Sequence, residues 1–273
     1  MTMTRLPLHS QRGFTLIEAI VVITITAIIA AVVATFIRTP IQGYFDSVRR
    51  AELTDTADTT VRRIGRDLHL ALPNSVRVTA VGSVYYLEFL QTGSGGRYRA
   101  DTDPGIATSD ILDFTASDTS FDVLGPAVSQ TPGAQNLVTV YNLGLPGADA
   151  YNGDNTSAIT GITGNNVKIS AKLFPFASPG NRFQIIDYPV SFVCDPTAGT
   201  ITRYWNYTIS PTQPTSFGTG SSALLSKNVS ACTFTYNPQV ITQRAGLVSA
   251  SLQLTQSGES VNLYYEIHVS NAP

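Results

Sequence analysis

Arg12-Gly13-Phe14-Thr15-Leu16-Ile17-Glu18 marks the point where the chain changes character. Before it lies a short polar leader that carries Arg5 as well as Arg12. After it, from Phe14 to Ile37, Glu18 is the only ionisable group, and Thr15, Thr24, Thr26 and Thr35 are the only other polar side chains. At about 1.5 Å of rise per residue, that stretch crosses a hydrocarbon layer of roughly 30 Å as one helix. Arg5 and Arg12 precede it and only Arg38 lies immediately beyond, so the positive-inside tendency leaves the N-terminus cytoplasmic and exports the remainder.

A secretory signal peptide or a plain signal anchor is the simpler alternative, and three details oppose it. The apolar run exceeds the roughly 7 to 15 residues of an ordinary signal core, and no polar segment follows Ala27, Ala30, Ala31 and Ala34 to mark a cleaved end. Glu18 puts a carboxylate inside the apolar span at roughly 2.5 to 3.5 kcal/mol on insertion scales, so it needs a partner or a task. Gly13 sits at the polar-to-apolar boundary itself.

The run Arg12 to Glu18 resembles the cleavage and methylation motif of type IV prepilins and of the related type II secretion pseudopilins. The resemblance implies that a prepilin peptidase cuts after Gly13 and methylates the new N-terminus at Phe14, and that Glu18 serves assembly. It also implies other pilin subunits, the peptidase and an inner-membrane assembly platform as partners. Physical chemistry supplies a reason for Glu18: cutting creates an ammonium on Phe14, and in a helical bundle that amine can pair with Glu18 of a neighbour. In hydrocarbon such a pair costs far less than two isolated charges. The competing reading is a carboxylate tolerated because it lies near a helix N-terminus. The sequence departs from many major pilins at Thr35, where they carry a helix-bending proline; Pro40 and Gly43 come later, so a kink or melted turn is expected there.

Past Pro40 a helical period resumes. Ile41, Tyr44, Phe45, Val48, Ala57, Val61, Ile64 and Leu68 fall near one stripe, with Arg49, Arg50, Arg62, Arg63 and Arg66 largely off it, and Leu72-Pro73-Asn74 ends it. From Val76 the period becomes two. Arg77 to Val81 and Val84 to Leu90 flank a hairpin turn at Gly82-Ser83, and two alternating runs, Val248 to Thr255 and Val261 to Val269, flank Ser257-Gly258. The chain between is punctuated at Gly93 to Gly96, Pro104-Gly105, Pro146 to Asn155 and Pro211 to Gly220, which predicts long irregular loops on an antiparallel scaffold. The expected organisation is a leader at 1–13, a membrane helix at 14–37, an amphipathic continuation at 38–72 and a β-rich head at 73–273. The fold class is α+β and pilin-like: a long helix packed on an antiparallel head.

The chain has 2 cysteines, Cys194 and Cys232, both in strand-like apolar surroundings. In an exported domain an even pair reads as a disulfide, two buried thiols being the alternative. With 17 Lys and Arg against 19 Asp and Glu, there is no general field for nucleic acid. An enzyme is not expected: His9, His69 and His268 are scattered, and neither a nucleophile elbow nor a metalloprotease or P-loop motif occurs. No cofactor is expected. Asp149, Asn152, Asp154 and Asn155 could place oxygens around Ca²⁺, but their spacing misses the EF-hand loop, and a solvated turn explains them as well. Tyr204-Trp205-Asn206-Tyr207 could form a glycan-stacking platform; strand alternation favours core and cross-strand packing instead. Three features narrow the resemblance: the Arg-rich helix, Cys194-Asp195-Pro196 followed by Arg203-Tyr204-Trp205, and Cys232-Thr233-Phe234-Thr235-Tyr236. Together they look like the minor-pilin O subunits of the mannose-sensitive haemagglutinin (MSHA) pilus system, which implies a low-abundance subunit that primes or caps the fibre.

Overall fold

A computed structural model describes residues 13–106, 108–238 and 245–273. The predicted leader, with Arg5, His9 and Arg12, lies outside the described residues apart from Gly13. One helix, α1, runs from Leu16 to Leu68. Thr15 caps it: its hydroxyl accepts the Glu18 N–H at 3.3 Å and its carbonyl accepts the Ala19 N–H at 3.1 Å. The helix is unbroken at Pro40 and Gly43, so no turn is melted there. A proline removes only its own N–H from the ladder, and apolar helices tolerate that loss.

The helix stops at Leu68, earlier than the predicted end at residue 72. Tight turns from the Leu70 N–H to the Asp67 carbonyl and from the Ala71 N–H to the Leu68 carbonyl close it, and the Leu72 N–H then donates to the Leu90 carbonyl at 2.8 Å. The sheet takes over these backbone groups before a further helical turn can form.

The chain divides into two compact units, 1–51 and 52–273. The described part of the first is the N-terminal stretch of α1. The second contains the last turns of α1 and twelve strands: β1 (Arg77–Val81), β2 (Val84–Tyr98), β3 (Asp118–Leu124), β4 (Leu137–Val140), β5 (Thr156–Thr163), β6 (Asn166–Lys172), β7 (Arg182–Asp195), β8 (Thr200–Trp205), β9 (Ser221–Lys227), β10 (Val229–Asn237), β11 (Ala245–Gln256) and β12 (Glu259–Ser270). The first nine make one sheet in the order β1-β2-β3-β6-β5-β4-β7-β8-β9, and the last three make a second sheet. Among the described residues all strand pairings are antiparallel.

Three cores result, the smallest formed by Leu72, Leu90, Ala150, Tyr151 and Ile186. In the first, Leu53, Ala57, Val61, Ile64 and Leu68 of α1 pack with Leu87 and Phe89 of β2, Val190 and Phe192 of β7, and the inward residues of β10 to β12. The i, i+4 spacing of the helical residues aims one stripe at the sheets, while Ile41, Tyr44 and Phe45 of the predicted stripe are exposed. The second core arises because β2 also pairs with β7, so that β2, β3, β6, β5, β4 and β7 close into a ring. Tyr98, Phe121, Val138, Val167, Phe183 and Ile185 fill it.

Much of what reads as loop is therefore strand. Gly93 to Gly96 lies within β2, facing β7 across two register shifts. A Cβ at Gly95 would stand 2.7 Å from the Phe183 carbonyl oxygen, so close backbone approach accounts for this glycine better than a loop tip. Pro189 lies in the middle of β7 without interrupting it. Its carbonyl accepts the Asn206 N–H at the gap between the β4 and β8 pairings, where a missing N–H breaks no ladder bond. The turn residues behave as the sequence suggests: Gly82 has φ 60°, and Ser257 and Gly258 have φ 50° and 88°.

Candidate functional site

Gly13 and Phe14 precede the helix in non-helical backbone and both are exposed, Phe14 at 80%. The helix carries its apolar side chains from Leu16 to Ile37 into the open, and none of its most apolar stretch is buried. Such a surface is stable only against lipid or other helices.

The threonines in this span do not compete for partners. Thr24 donates to the Ile20 and Val21 carbonyls at 3.0 and 2.9 Å, Thr26 to Val22 at 2.6 Å, and Thr35 to Ala31 and Val32 at 3.1 and 2.8 Å. Glu18 is different. Its backbone N–H is capped by Thr15, but its carboxylate has no hydrogen bond or ion pair among the described residues. One turn from Phe14, it is the polar side chain of the span left free to meet a cation from outside the chain.

The head holds two buried charged networks. Asp67, near the end of α1, is paired with Arg203 of β8 at 2.7 Å and with Arg63 at 3.3 Å, and Arg203 also donates to Gln91 at 3.0 Å and lies over the Trp205 ring. This fastens the helix to the large sheet. The second network centres on Glu88, fully buried in β2, which accepts from Arg77 at 2.6 Å and from the Tyr207 hydroxyl at 2.9 Å, Tyr207 in turn meeting Ser191 at 2.7 Å. Burial pushes the Glu88 carboxyl above its ordinary range, although Arg77 and Tyr207 pull the other way. Burial also raises the Tyr207 hydroxyl, as does the neighbouring Glu88 charge. The hairpin register around Gly82-Ser83 already sets Arg77 opposite Glu88, so this pair was accessible to sequence reasoning; the arrival of Tyr207 was not.

Cys194 of β7 and Cys232 of β10 form a disulfide that joins the two sheets, with their Cα atoms 6.5 Å apart. The two carboxylates of the Asp149 to Asn155 loop are spent on local backbone, while the buried Asn155 Oδ1 accepts no hydrogen bond among the described residues. Asp154 accepts from the Gly147 and Asp149 N–H groups and Asp149 caps the Ala150–Asn152 turn through Tyr151 N–H. Asn155 donates to the Val140 carbonyl. Among the described residues, no three His, Cys, Asp or Glu side chains are grouped to hold a metal. His69 and His268 are both exposed. In the Tyr204-Trp205-Asn206-Tyr207 run, Trp205 packs on the first core and Tyr204 faces out, stacked on Phe217.

The prokaryotic N-terminal methylation motif matches residues 8–34. This type IV prepilin-like motif spans the Gly13-Phe14 junction and Glu18, and with the apolar helix and the α+β head it supports a type IV pilin-like or pseudopilin-like protein. The curated proteins and the solved structures give no match to the chain.

Proposed function

We propose that the chain is a minor type IV pilin of the MSHA type, a structural subunit rather than an enzyme. Prepilin peptidase cuts after Gly13 and methylates Phe14; the helix holds the subunit in the inner membrane, N-terminus inward, with its head in the periplasm. The subunit then joins the fibre at or near the tip, where it primes or supports assembly. The observation that carries this reading is the pairing of an exposed Gly13-Phe14 junction with a wholly unburied apolar helix, in which Glu18 alone keeps an unspent charge.

The test is Glu18→Val in cells. If the carboxylate is merely tolerated by the helix dipole, the change removes an insertion penalty of about 2.5 to 3.5 kcal/mol and leaves filaments normal. If it pairs with the Phe14 amine of a neighbour, the variant is still cut after Gly13 but stays in the membrane, absent from sheared filaments. Normal incorporation would defeat the assembly role. A pseudopilin of a type II secretion system shares the same junction and helix; loss of secretion with normal piliation in a deletion strain would favour it. Loss of adhesion with normal piliation would favour a tip adhesin.

A further inference from the structure

The segment 206–220 leaves β8, crosses the outer face of the large sheet and returns as β9. It is fastened there. Arg77 donates to the Ser210 and Pro211 carbonyls at 2.8 and 2.7 Å, while Gln213 accepts from Thr79 at 2.7 Å and donates to the Tyr86 carbonyl at 3.0 Å. The result is an aromatic cluster around Phe217. Tyr204 stacks on it with centroids 4.4 Å apart and planes 16° from parallel, Tyr207 meets it edge-on at 4.9 Å, and Tyr86 lies at 6.5 Å.

Against this cluster lies an open cleft of about 450 Å³. Tyr86 and Val193, which are register partners on adjacent strands, line it together with Phe217, whose ring centroid lies 6.5 Å from that of Tyr86. Since Tyr204 is already covered by Phe217, Tyr86 and the margin of Phe217 are the aromatic surfaces offered. Asp195, Thr215, Ser216 and Ser222 make up the polar rim. The Asp195 carboxylate receives the Thr197 and Ala198 N–H groups on Oδ1, and Oδ2 accepts no hydrogen bond among the described residues.

We propose that this cleft binds a carbohydrate, a sugar ring lying on Tyr86 beside Phe217 with its hydroxyls directed to Asp195 and the Thr and Ser side chains. A pyranose has an apolar C–H face and a rim of hydroxyl donors. A half-exposed aromatic answers the first and a carboxylate oxygen with a free lone pair answers the second. The cleft volume falls within the roughly 300 to 1,000 Å³ of small-molecule sites. Other chemistries fit less well. A wholly apolar ligand would strip water from Asp195 without replacing its hydrogen bonds, and a phosphorylated ligand would meet a carboxylate with no Lys or Arg lining the cleft. This site is independent of the helix and of the role in the fibre.

The experiment uses the full chain in a detergent without a sugar headgroup, probed by saturation-transfer NMR with the methyl glycosides of glucose, galactose and N-acetylglucosamine. Transfer to the ring C–H protons of at least one glycoside is expected at about 10 mM, weakened about tenfold or more by Tyr86→Ala. Because Tyr86→Ala could disturb folding, Ser222→Trp is the deciding variant: it fills the cleft from an exposed position on the strand and removes nothing from either core. Far-UV circular dichroism and the intact disulfide report that each protein is folded, since Ser222→Trp adds a second tryptophan beside Trp205. No transfer from any of the three glycosides to folded protein overturns the proposal, as does transfer unchanged in Ser222→Trp.

Discussion

Glu88 and Asp67 are carboxylates held where little water reaches, and each is held by an arginine from another element. Removing one member of such a pair costs more than the pair contributes, because the remaining charge stays buried without compensation. Arg203→Ala should therefore destabilise the head, by less than the roughly 3 to 5 kcal/mol of a wholly unpaired charge because Arg63 remains 3.3 Å from Asp67, in denaturant unfolding followed by Trp205 fluorescence; a loss near zero would mean that Arg63 and water suffice for Asp67. Glu88 makes a prediction about pH. Its carboxyl is raised in the folded chain, chiefly by burial, so the folded state holds the proton more readily than the unfolded one. Its contribution is then full below the ordinary carboxylate value of 4.5 and is lost as pH rises through the raised value. Glu88→Gln should remove that dependence, so the stability gap between parent and variant should shift in favour of the variant as pH rises across the window. A gap that shifts the opposite way would show that Arg77 and Tyr207 outweigh burial.

At the scale of elements, the sequence discloses what a single period encodes. The helical stripe from Ala57 to Leu68, the Gly82-Ser83 hairpin and the last two strands all show a uniform period over several residues, bounded by turn residues with positive φ. Strands β3 to β6 are hidden because they are only 4 to 8 residues long, and the pairings β2–β7 and β4–β7 that complete their ring join distant parts of the chain. Pro189 masked β7 for a similar reason: its tolerated position depends on a gap between two neighbouring strands that no local pattern reveals. The methylation motif over residues 8–34 is legible because it is local and linear; the aromatic cleft is not, because Phe217 reaches Tyr86 only through tertiary folding. The division of α1 also predicts two kinds of substitution. Ile64→Ala opens space in the first core and should cost about 2 to 5 kcal/mol of head stability. Ile28→Ala, at an exposed position, should leave the same unfolding midpoint unchanged and affect only behaviour in lipid or in the fibre. Equal effects would contradict the separation.

At the scale of the molecule, the described head is two sheets and three cores, and the Cys194–Cys232 bond is a covalent tie between the sheets besides the backbone. It closes a loop with a sequence separation of 38. Chain entropy assigns such a loop about 4 kcal/mol, against a native packing already dense with apolar contacts from α1, β2 and β7. Loss of the bond should therefore weaken the docking of β10 to β12 without dissolving the fold, while the core inside the ring of β2 to β7 holds no cysteine, since Cys194 of β7 packs in the first core. The double change Cys194→Ala with Cys232→Ala isolates the bond without leaving a reactive thiol. Hydrogen exchange should then quicken in β10 to β12 and in the last turns of α1, and stay near its parental rate in β3 to β6. Were exchange to quicken equally throughout, the first two cores would be one cooperative unit and the bond would act on all of it; were it unchanged in β10 to β12, apolar packing alone would be enough to hold the second sheet.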